Sequence, residues 1–279
     1  MNKVLQCGRQ TLDLSQPQVM AVLNITEDSF SDGGRWLNPE RALEHAMQMA
    51  SEGAGIIDIG GESTRPGATP VSLSQELDRV IPVIEVLSST LEIPISIDTS
   101  KAEVMTAAVA AGAGMINDVW GLRQPGALQA AAKANVPVCI MHMQGQPENM
   151  QKQPLYQNVL EEINAFFSQR IAAATAAGIE TEKLLLDPGF GFGKTLEHNL
   201  SILANLNIFA HFKLPLLVGI SRKSMLGEIT GADISDRVPA GIAAATIAAL
   251  QGANIIRSHD VAASVQAMKL SYALMSVDL

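Results

Sequence analysis

Eight short apolar runs punctuate this chain, and each is followed by a polar turn and then an alanine-rich stretch with helical spacing. The runs are 19–24 (VMAVLN), 56–60 (IIDIG), 93–98 (IPISID), 115–119 (MINDV), 136–142 (VPVCIMH), 183–187 (KLLLD), 215–220 (PLLVGI) and 255–259 (IIRSH). Helices are predicted over 39–52, 72–90, 101–112, 125–135, 158–177, 196–211, 238–251 and 261–275. Most runs are continuously apolar rather than alternating, the pattern of parallel strands buried on both faces. Gly53, Gly112, Gly178 and Gly252 fall where a glycine ends a helix. Eight βα units in 279 residues predict an α/β fold of the (β/α)8 TIM-barrel type. The rival, a doubly wound open sheet, has fewer strands and a glycine-rich first turn, whereas NITEDSF contains no glycine. Residues 3–14 predict an antiparallel hairpin about Gly8, placed to plug the bottom of the barrel. With no linker or low-complexity stretch, residues 1–279 read as a single domain, of which 1–15 are the hairpin segment.

Composition narrows the function. A hydrophobic fraction of 47% excludes a disordered chain. A net charge of −9 argues against nucleic acid as a partner. A chain of this length buries about 75% of its unfolded surface and needs no disulfide or metal to fold. Two cysteines, Cys7 and Cys139, form no framework, which points to a reducing compartment. No signal-peptide core and no apolar stretch of membrane-spanning length are expected, so no membrane partner is expected and the predicted setting is cytoplasmic.

Barrel enzymes work at the C-terminal ends of their strands, so the informative residues are those that follow each run. These are Asn24 and the loop to Gly34; Glu62 to Gly67; Asp98; Asn117 and Asp118; His142; Asp187 with GFGFGK; Ser221 to Ser224; and Arg257, His259 and Asp260. One such residue is often only a helix cap. Caps do not call for Arg, Lys and His, and here every strand delivers a polar group to the rim. Arg65, Arg222, Lys223, Arg257 and His259 form a cationic set on an acidic protein, suited to an anion; Arg222 alone reads best as a surface salt bridge. Asp98, Asn117 and Asp187 form a second set, expected across the mouth from the cations. Two carboxylates and an amide suit a flat heterocycle carrying several N–H donors and a carbonyl. A carboxylate metal site competes, but no His lies among them at ligand spacing.

Other signals are weaker. Residues 187–195 end like a phosphate-binding glycine loop, yet Pro188 stands where the first glycine is required. The segment is read as a tight loop with Phe192 available for stacking. His45, His198 and His211 lie on predicted helices as surface or packing residues. Met141 is the one methionine placed beside the mouth. Lys223 could form a Schiff base, but the cations around it favour an anion or carbonyl contact.

Seven segments, in order, carry a resemblance: NITEDSFSDGG (24–34), GESTRPGA (61–68), SIDTSKAEV (96–104), INDVWG (116–121), LDPGFGFGK (186–194), GISRKSMLG (219–227) and RSHDV (257–261). With these the chain resembles the bacterial dihydropteroate synthases, pterin-binding barrels, over almost its whole length. It departs from the family pattern at Glu27, commonly Pro, and at Ser258, commonly apolar. The resemblance implies an alkyl transfer of folate biosynthesis. In it 4-aminobenzoate displaces diphosphate from (7,8-dihydropterin-6-yl)methyl diphosphate to give 7,8-dihydropteroate. It also implies Mg²⁺ on the diphosphate, inhibition by sulfonamides and a homodimer.

The implied roles can be placed residue by residue. Asp98, Asn117, Met141, Asp187, Phe192 and Lys223 bind the pterin. Asn24, Thr64, Arg65, Arg257 and His259 bind the diphosphate, Asn24 also as the protein ligand of Mg²⁺. Phe30, Ser63, Thr64, Pro66, Lys223 and Ser224 bind 4-aminobenzoate. Asp32, Asp98 and Lys223 are catalytic, Asp32 by approaching a carbocation-like centre. Two alternatives share the barrel: a pterin-binding methyltransferase module and a non-catalytic pterin-binding protein. Neither needs STRPG, SRKS and the Arg257 and His259 cations, all of which are present.

Overall fold

The computed structural model describes residues 4–25, 39–63, 69–146, 150–151 and 153–277. Two short strands, β1 (Val4–Cys7) and β2 (Gln10–Asp13), pair antiparallel about Gly8. Eight parallel strands follow: β3 (Gln18–Asn24), β4 (Ile56–Gly60), β5 (Ile95–Asp98), β6 (Met115–Asp118), β7 (Val138–Met141), β8 (Leu184–Asp187), β9 (Leu217–Val218) and β10 (Ile255–Ser258). Their order is β8-β7-β6-β5-β4-β3-β10-β9. A parallel bridge between Leu186 and Leu216, with Leu186 N–H donating to Pro215 O at 2.9 Å, joins β8 to β9 and closes the barrel. The helices are α1 (Pro39–Ser51), α2 (Leu73–Thr90), α3 (Ala102–Ala111), α4 (Ala127–Ala134), α5 (Val159–Ala176), α6 (Leu196–Ala204), α7 (Ser224–Thr230), α8 (Val238–Leu250) and α9 (Val261–Met275). No helix among the described residues is long and apolar enough to cross a membrane.

Strand alternation sorts the side chains into two cores. Outward residues such as Ile57, Ile59, Ile97, Ile116, Ile140 and Leu186 pack under the helices. Inward residues at the strand starts, Met20, Ile56, Met115, Cys139, Leu185, Leu217 and Ile255, form the lowest layer inside the barrel. Leu5, Cys7, Leu12 and Leu14 of the hairpin segment close that layer from below, so the hairpin is the expected plug. Its seating requires Gly114, where a Cβ would meet Cys7 O at 2.4 Å.

The helices begin and end for local reasons. Ser72 and Gln75 form a capping box on α2, and Asn158 accepts the Leu160 and Glu161 N–H groups at the start of α5. Gly112 ends α3 at φ 119°, where its N–H reaches Ala108 O.

Three expectations need correction. The helix predicted over 196–211 breaks at Asn205, whose side chain donates back to Ser201 O at 2.9 Å, and continues as a 3-10 helix, Leu206–Phe212. The strand predicted over 215–220 contracts to Leu217–Val218: Pro215 has no N–H for a ladder, Leu216 N–H donates to Asn254 Oδ1 at 2.9 Å, and Ile220 O is taken by Lys223 N–H at 3.1 Å in the following turn. Finally, α7 falls outside every predicted helix; it is seven residues long and contains Gly227, so it carries little periodic signal.

Candidate active site

Register brings the polar strand ends to one rim. Asn24 pairs with Gly60, Gly60 with Asp98, and Asp98 with Asn117, a continuous row across four strands. Met141 pairs with Asp187 further round. All these positions have the inward parity of the strands, as does Arg257, two residues beyond Ile255. Six residues expected at the mouth therefore do converge there: Asn24, Asp98, Asn117, Met141, Asp187 and Arg257.

The centre of the cluster is a residue that reading the strand ends alone passed over. Asp58 is fully buried in mid-strand β4, facing the barrel interior. Its Oδ2 accepts Arg257 Nε at 2.6 Å and Asn117 Nδ2 at 3.0 Å, while Oδ1 is buried with no hydrogen-bond partner. Arg257 also donates from Nη2 to Asp98 Oδ2 at 2.8 Å. A signal was available: an acid inside IIDIG, on the inward parity of a strand, needs a counter-charge. The cations therefore do not all stand across the mouth from the acids. Arg257 lies among the acids, because two buried carboxylates on neighbouring strands need a guanidinium within reach. Burial pushes the Asp98 carboxyl upward in pKa, opposed by Arg257 and reinforced by Asp58. Burial disfavours the charge on Arg257, but Asp58 and Asp98 outweigh it and hold its pKa above the ordinary arginine value.

Asp187 lies at the end of β8, where Oδ1 accepts Gly189 N–H at 2.7 Å. Burial raises its pKa to about 6, against that hydrogen bond and the charges of Lys223, Lys194 and Arg257. Lys223 Nζ sits 4.1 Å from the centre of the Phe192 ring, a cation–π contact. Its pKa is pulled down to about 8 by burial first and by Arg257 second, with Asp187 and Asp98 opposing. Phe192, Met141, Met143, Met150 and Val119 form a small apolar cluster beside these polar groups. A planar ring thus meets hydrogen-bonding edges and an apolar face.

The ninth and tenth strands supply the anion side. His259 N–H donates to Ser221 Oγ at 3.2 Å, and the two side chains meet at Nδ1, 3.1 Å. Arg222, exposed, is bound to Asp260 at 2.6 Å, the surface salt bridge expected of it. A cavity of about 360 Å³, lined by His45, Gln48, Glu52, His259 and Val261 among others, opens at the N terminus of α9. An exposed Ser224 begins α7. Ser63 ends the described part of the second loop, also exposed. Phe30, Asp32, Thr64, Arg65 and Pro66, together with Glu27, lie outside the described residues.

Some rim residues serve the fold instead. Asp118 faces outward and accepts the Trp120 and Leu122 N–H groups at 2.8 and 2.7 Å. His142 is buried edge-on to Phe166 at 4.9 Å. His198 completes a capping box with Thr195 on α6, and His211 stacks near Phe212 at 4.0 Å. Ser258, buried on the outer side of β10, is satisfied by Ser264 Oγ at 2.8 Å and Asp260 N–H at 3.1 Å. A hydroxyl in a usually apolar position is therefore matched by a partner on α9.

Residues 20–259, from the first barrel strand to His259, match the family model described as pterin binding enzyme. The chain belongs to the pterin-binding enzyme family. Among its relatives is the dihydropteroate synthase of Escherichia coli, 54% identical, with the match covering 95% of this chain and 94% of that one. The crystal structure of the Yersinia pestis dihydropteroate synthase with a sulfonamide drug complex superposes with a TM-score of 0.94 at 55% identity, covering 98% of this chain and 100% of that chain. The Xanthomonas albilineans dihydropteroate synthase in complex with 7,8-dihydropteroate gives 0.90 at 47% identity, covering 99% and 100%.

Proposed function

We propose that this member of the pterin-binding family is a dihydropteroate synthase, joining (7,8-dihydropterin-6-yl)methyl diphosphate to 4-aminobenzoate with release of diphosphate. The observation that carries the reading is the convergence of Asp98, Asn117, Asp187 and Lys223 on one rim of the barrel. The likeness to synthases in both sequence and structure supports it.

The chemistry follows from the groups present. Asp187, Asn117 and Asp98 accept and donate along the pterin edge, Lys223 donates to its carbonyl or ring nitrogen, and Met141 and Phe192 cover a face. The diphosphate lies toward Asn24, His259 and the α9 N terminus, where backbone N–H groups favour anions, with Arg257, Thr64 and Arg65 assigned to the same group. As the exocyclic C–O bond breaks, the electron-rich ring carries the positive charge and the diphosphate takes the bonding pair. The amine of 4-aminobenzoate then forms the C–N bond and gives up its proton. Preorganised carboxylates near that carbon, Asp98 and the assigned Asp32, stabilise the cation without forming a covalent intermediate. Phe30, Ser63, Thr64, Pro66, Lys223 and Ser224 are assigned to the benzoate, and a sulfonamide would compete there.

Asn24 fits a Mg²⁺ ligand. Its Oδ1 and Asp98 Oδ2 lie 3.6 and 3.8 Å from the point where a Cβ on Gly60 would stand, so oxygen donors gather at this strand end. One neutral oxygen suits an ion that keeps several waters and takes its other ligands from phosphate. When bound, Mg²⁺ would offset charge on the departing diphosphate.

We assign one working domain to residues 1–279, because the hairpin and barrel share a core layer. A cytoplasmic setting is supported by the two buried, unpaired cysteines.

The purified protein is expected to form dihydropteroate from the two substrates, with sulfonamide inhibition competitive with 4-aminobenzoate. Activity should fall above about pH 8 as Lys223 loses its proton. Absence of product with both substrates and Mg²⁺ supplied would reject the assignment. Lys223→Arg, if active, should carry the alkaline limb beyond the accessible range.

The homodimer is assigned to the α8–α9 face, where Ile247, Leu250, Leu270, Leu274 and Met275 are exposed apolar side chains. Sedimentation equilibrium should give twice the chain mass, and Leu270→Glu with Leu274→Glu should halve it. A wild-type mass of one chain at micromolar concentration rules the dimer out.

A further inference from the structure

The lysine that ends GFGFGK does not do what a phosphate-loop lysine does. Lys194 is 3% exposed and points into the wall of the barrel. Its Nζ donates to Gly189 O at 2.8 Å and Phe192 O at 3.0 Å, and it meets His142 Nδ1 at 3.0 Å with His142 O at 3.3 Å. An ammonium has three protons and no acceptor, so His142 Nδ1 is the acceptor and its imidazole is neutral. Burial, then the charge of Lys194, pulls the His142 pKa down to about 2, in agreement with that geometry.

The loop is built around this cation. Gly189 and Gly193 both have positive φ, 69° and 63°. A Cβ at Gly189 would lie 2.0 Å from His142 O, and one at Gly193 would lie 2.4 Å from Gln144 O. The loops after β7 and β8 are thus pressed backbone to backbone, and their carbonyl dipoles converge. Carbonyl oxygens crowded in a dry interior repel one another unless a donor or cation lies between them. Lys194 is that cation. The carbonyl it holds at Phe192 belongs to the residue whose ring lies under Lys223.

We propose that Lys194 is a positioning residue of this site, gathering the two loops so that Phe192 is seated under Lys223 and supplying positive charge behind Asp187. The proposal rests on the pterin-binding reading of Asp187. The charged or titratable groups around Lys194 and Asp187 are Cys139 on β7, His142 after it, Tyr156, whose hydroxyl donates to Gly193 O at 2.8 Å and whose ring lies 6.1 Å from that of His142, Lys223 after β9 and Arg257 on β10, with Arg123 acting on His142. Burial pulls Lys194 down to about 7, against the attraction of Asp187. As pH falls, the amine therefore gains its proton before Asp187 loses its charge at about 6. The cation is therefore in place between about pH 6 and 7, the window in which Asp187 is closest to protonating.

The test is the pH dependence of 6-hydroxymethylpterin affinity, measured by calorimetry from pH 5 to 8 on the full chain. In wild type the affinity should fall as Asp187 protonates. In Lys194→Met the same fall should begin roughly one pH unit higher, the size expected from deleting a nearby opposite charge. Loss of packing alone would weaken binding at every pH without moving the limb. Should Lys194→Met fail to melt cooperatively, Lys194→Gln, which keeps donors for the carbonyls, is read the same way. A folded variant whose acid limb coincides with wild type overturns the proposal. Wild-type protein that does not bind the pterin overturns the underlying reading instead.

Discussion

Asp187→Asn is expected to weaken pterin binding by about a hundredfold or more while gaining on wild type in stability as pH rises. The binding loss follows from the donor pattern. A carboxylate accepting two charge-assisted hydrogen bonds from ring N–H groups contributes about 1.5–3 kcal/mol for each. An amide turns one oxygen into an opposing donor, so affinity should fall by about a hundredfold to ten-thousandfold. Calorimetry with 6-hydroxymethylpterin at pH 8 reads it.

The stability effect has a definite sign. Burial raises Asp187 to about 6 in the folded chain, above the ordinary carboxylate value near 3.9. Between those values the folded state binds more protons than the unfolded state, so wild-type stability declines as pH rises through this window and levels off above it. The substituted amide does not titrate. Urea denaturation at pH 4.5 and pH 8 should therefore show the variant gaining roughly 2 kcal/mol on wild type between the two. A constant offset at both pH values would contradict the stated cost of the ionised carboxylate. The Gly189 N–H still finds an acceptor in the amide oxygen, so the loop should keep its turn.

Asp58→Leu should produce the largest loss of stability among the mouth residues. It strips Arg257 of its 2.6 Å partner and Asn117 of an acceptor, while Asp98 remains paired with the same guanidinium. Removing one member of a buried ion pair costs about 3 kcal/mol or more because the other charge stays desolvated. For a chain of this size that lowers Tm by roughly 6–12 °C, measurable by calorimetry. Activity should fall with it, since Arg257 and Asn117 lose their placement. The double variant Asp58→Leu, Arg257→Met should recover part of the Tm and none of the activity. A single variant that melts with wild type would show that Asp58 does not organise the cluster.

Asp187 was legible in the sequence because it ends an apolar run and precedes a glycine-rich turn, and both are local signals. Asp98 and Asn117 were legible in the same way. Asp58 sits in mid-strand and escapes any reading of strand ends, although the two-residue period of β4 marks it as inward. Lys194 received no role from the sequence, since the phosphate-loop match fails at Pro188. Its spacing from the glycines resembles a phosphate loop, and only the packing of the β7 and β8 loops turns it inward. Arg257 was read as a member of the anion set, whereas in the structure its guanidinium is shared by Asp58 and Asp98.

By itself, the sequence determined the number and order of the barrel strands, every α-helix among the described residues but α7, the hairpin that seals the barrel floor, and the set of polar groups presented at the rim. Those features depend on hydrophobic period, caps and turn residues within short windows. The tertiary structure alone decided which of those groups touch. Asp58 and Arg257 are 199 residues apart in the chain and meet only because β10 returns to pair with β3, beside β4. Hydrogen-bond partners across a closed barrel are set by register and inward side-chain reach, and neither is encoded within a few residues of the groups concerned.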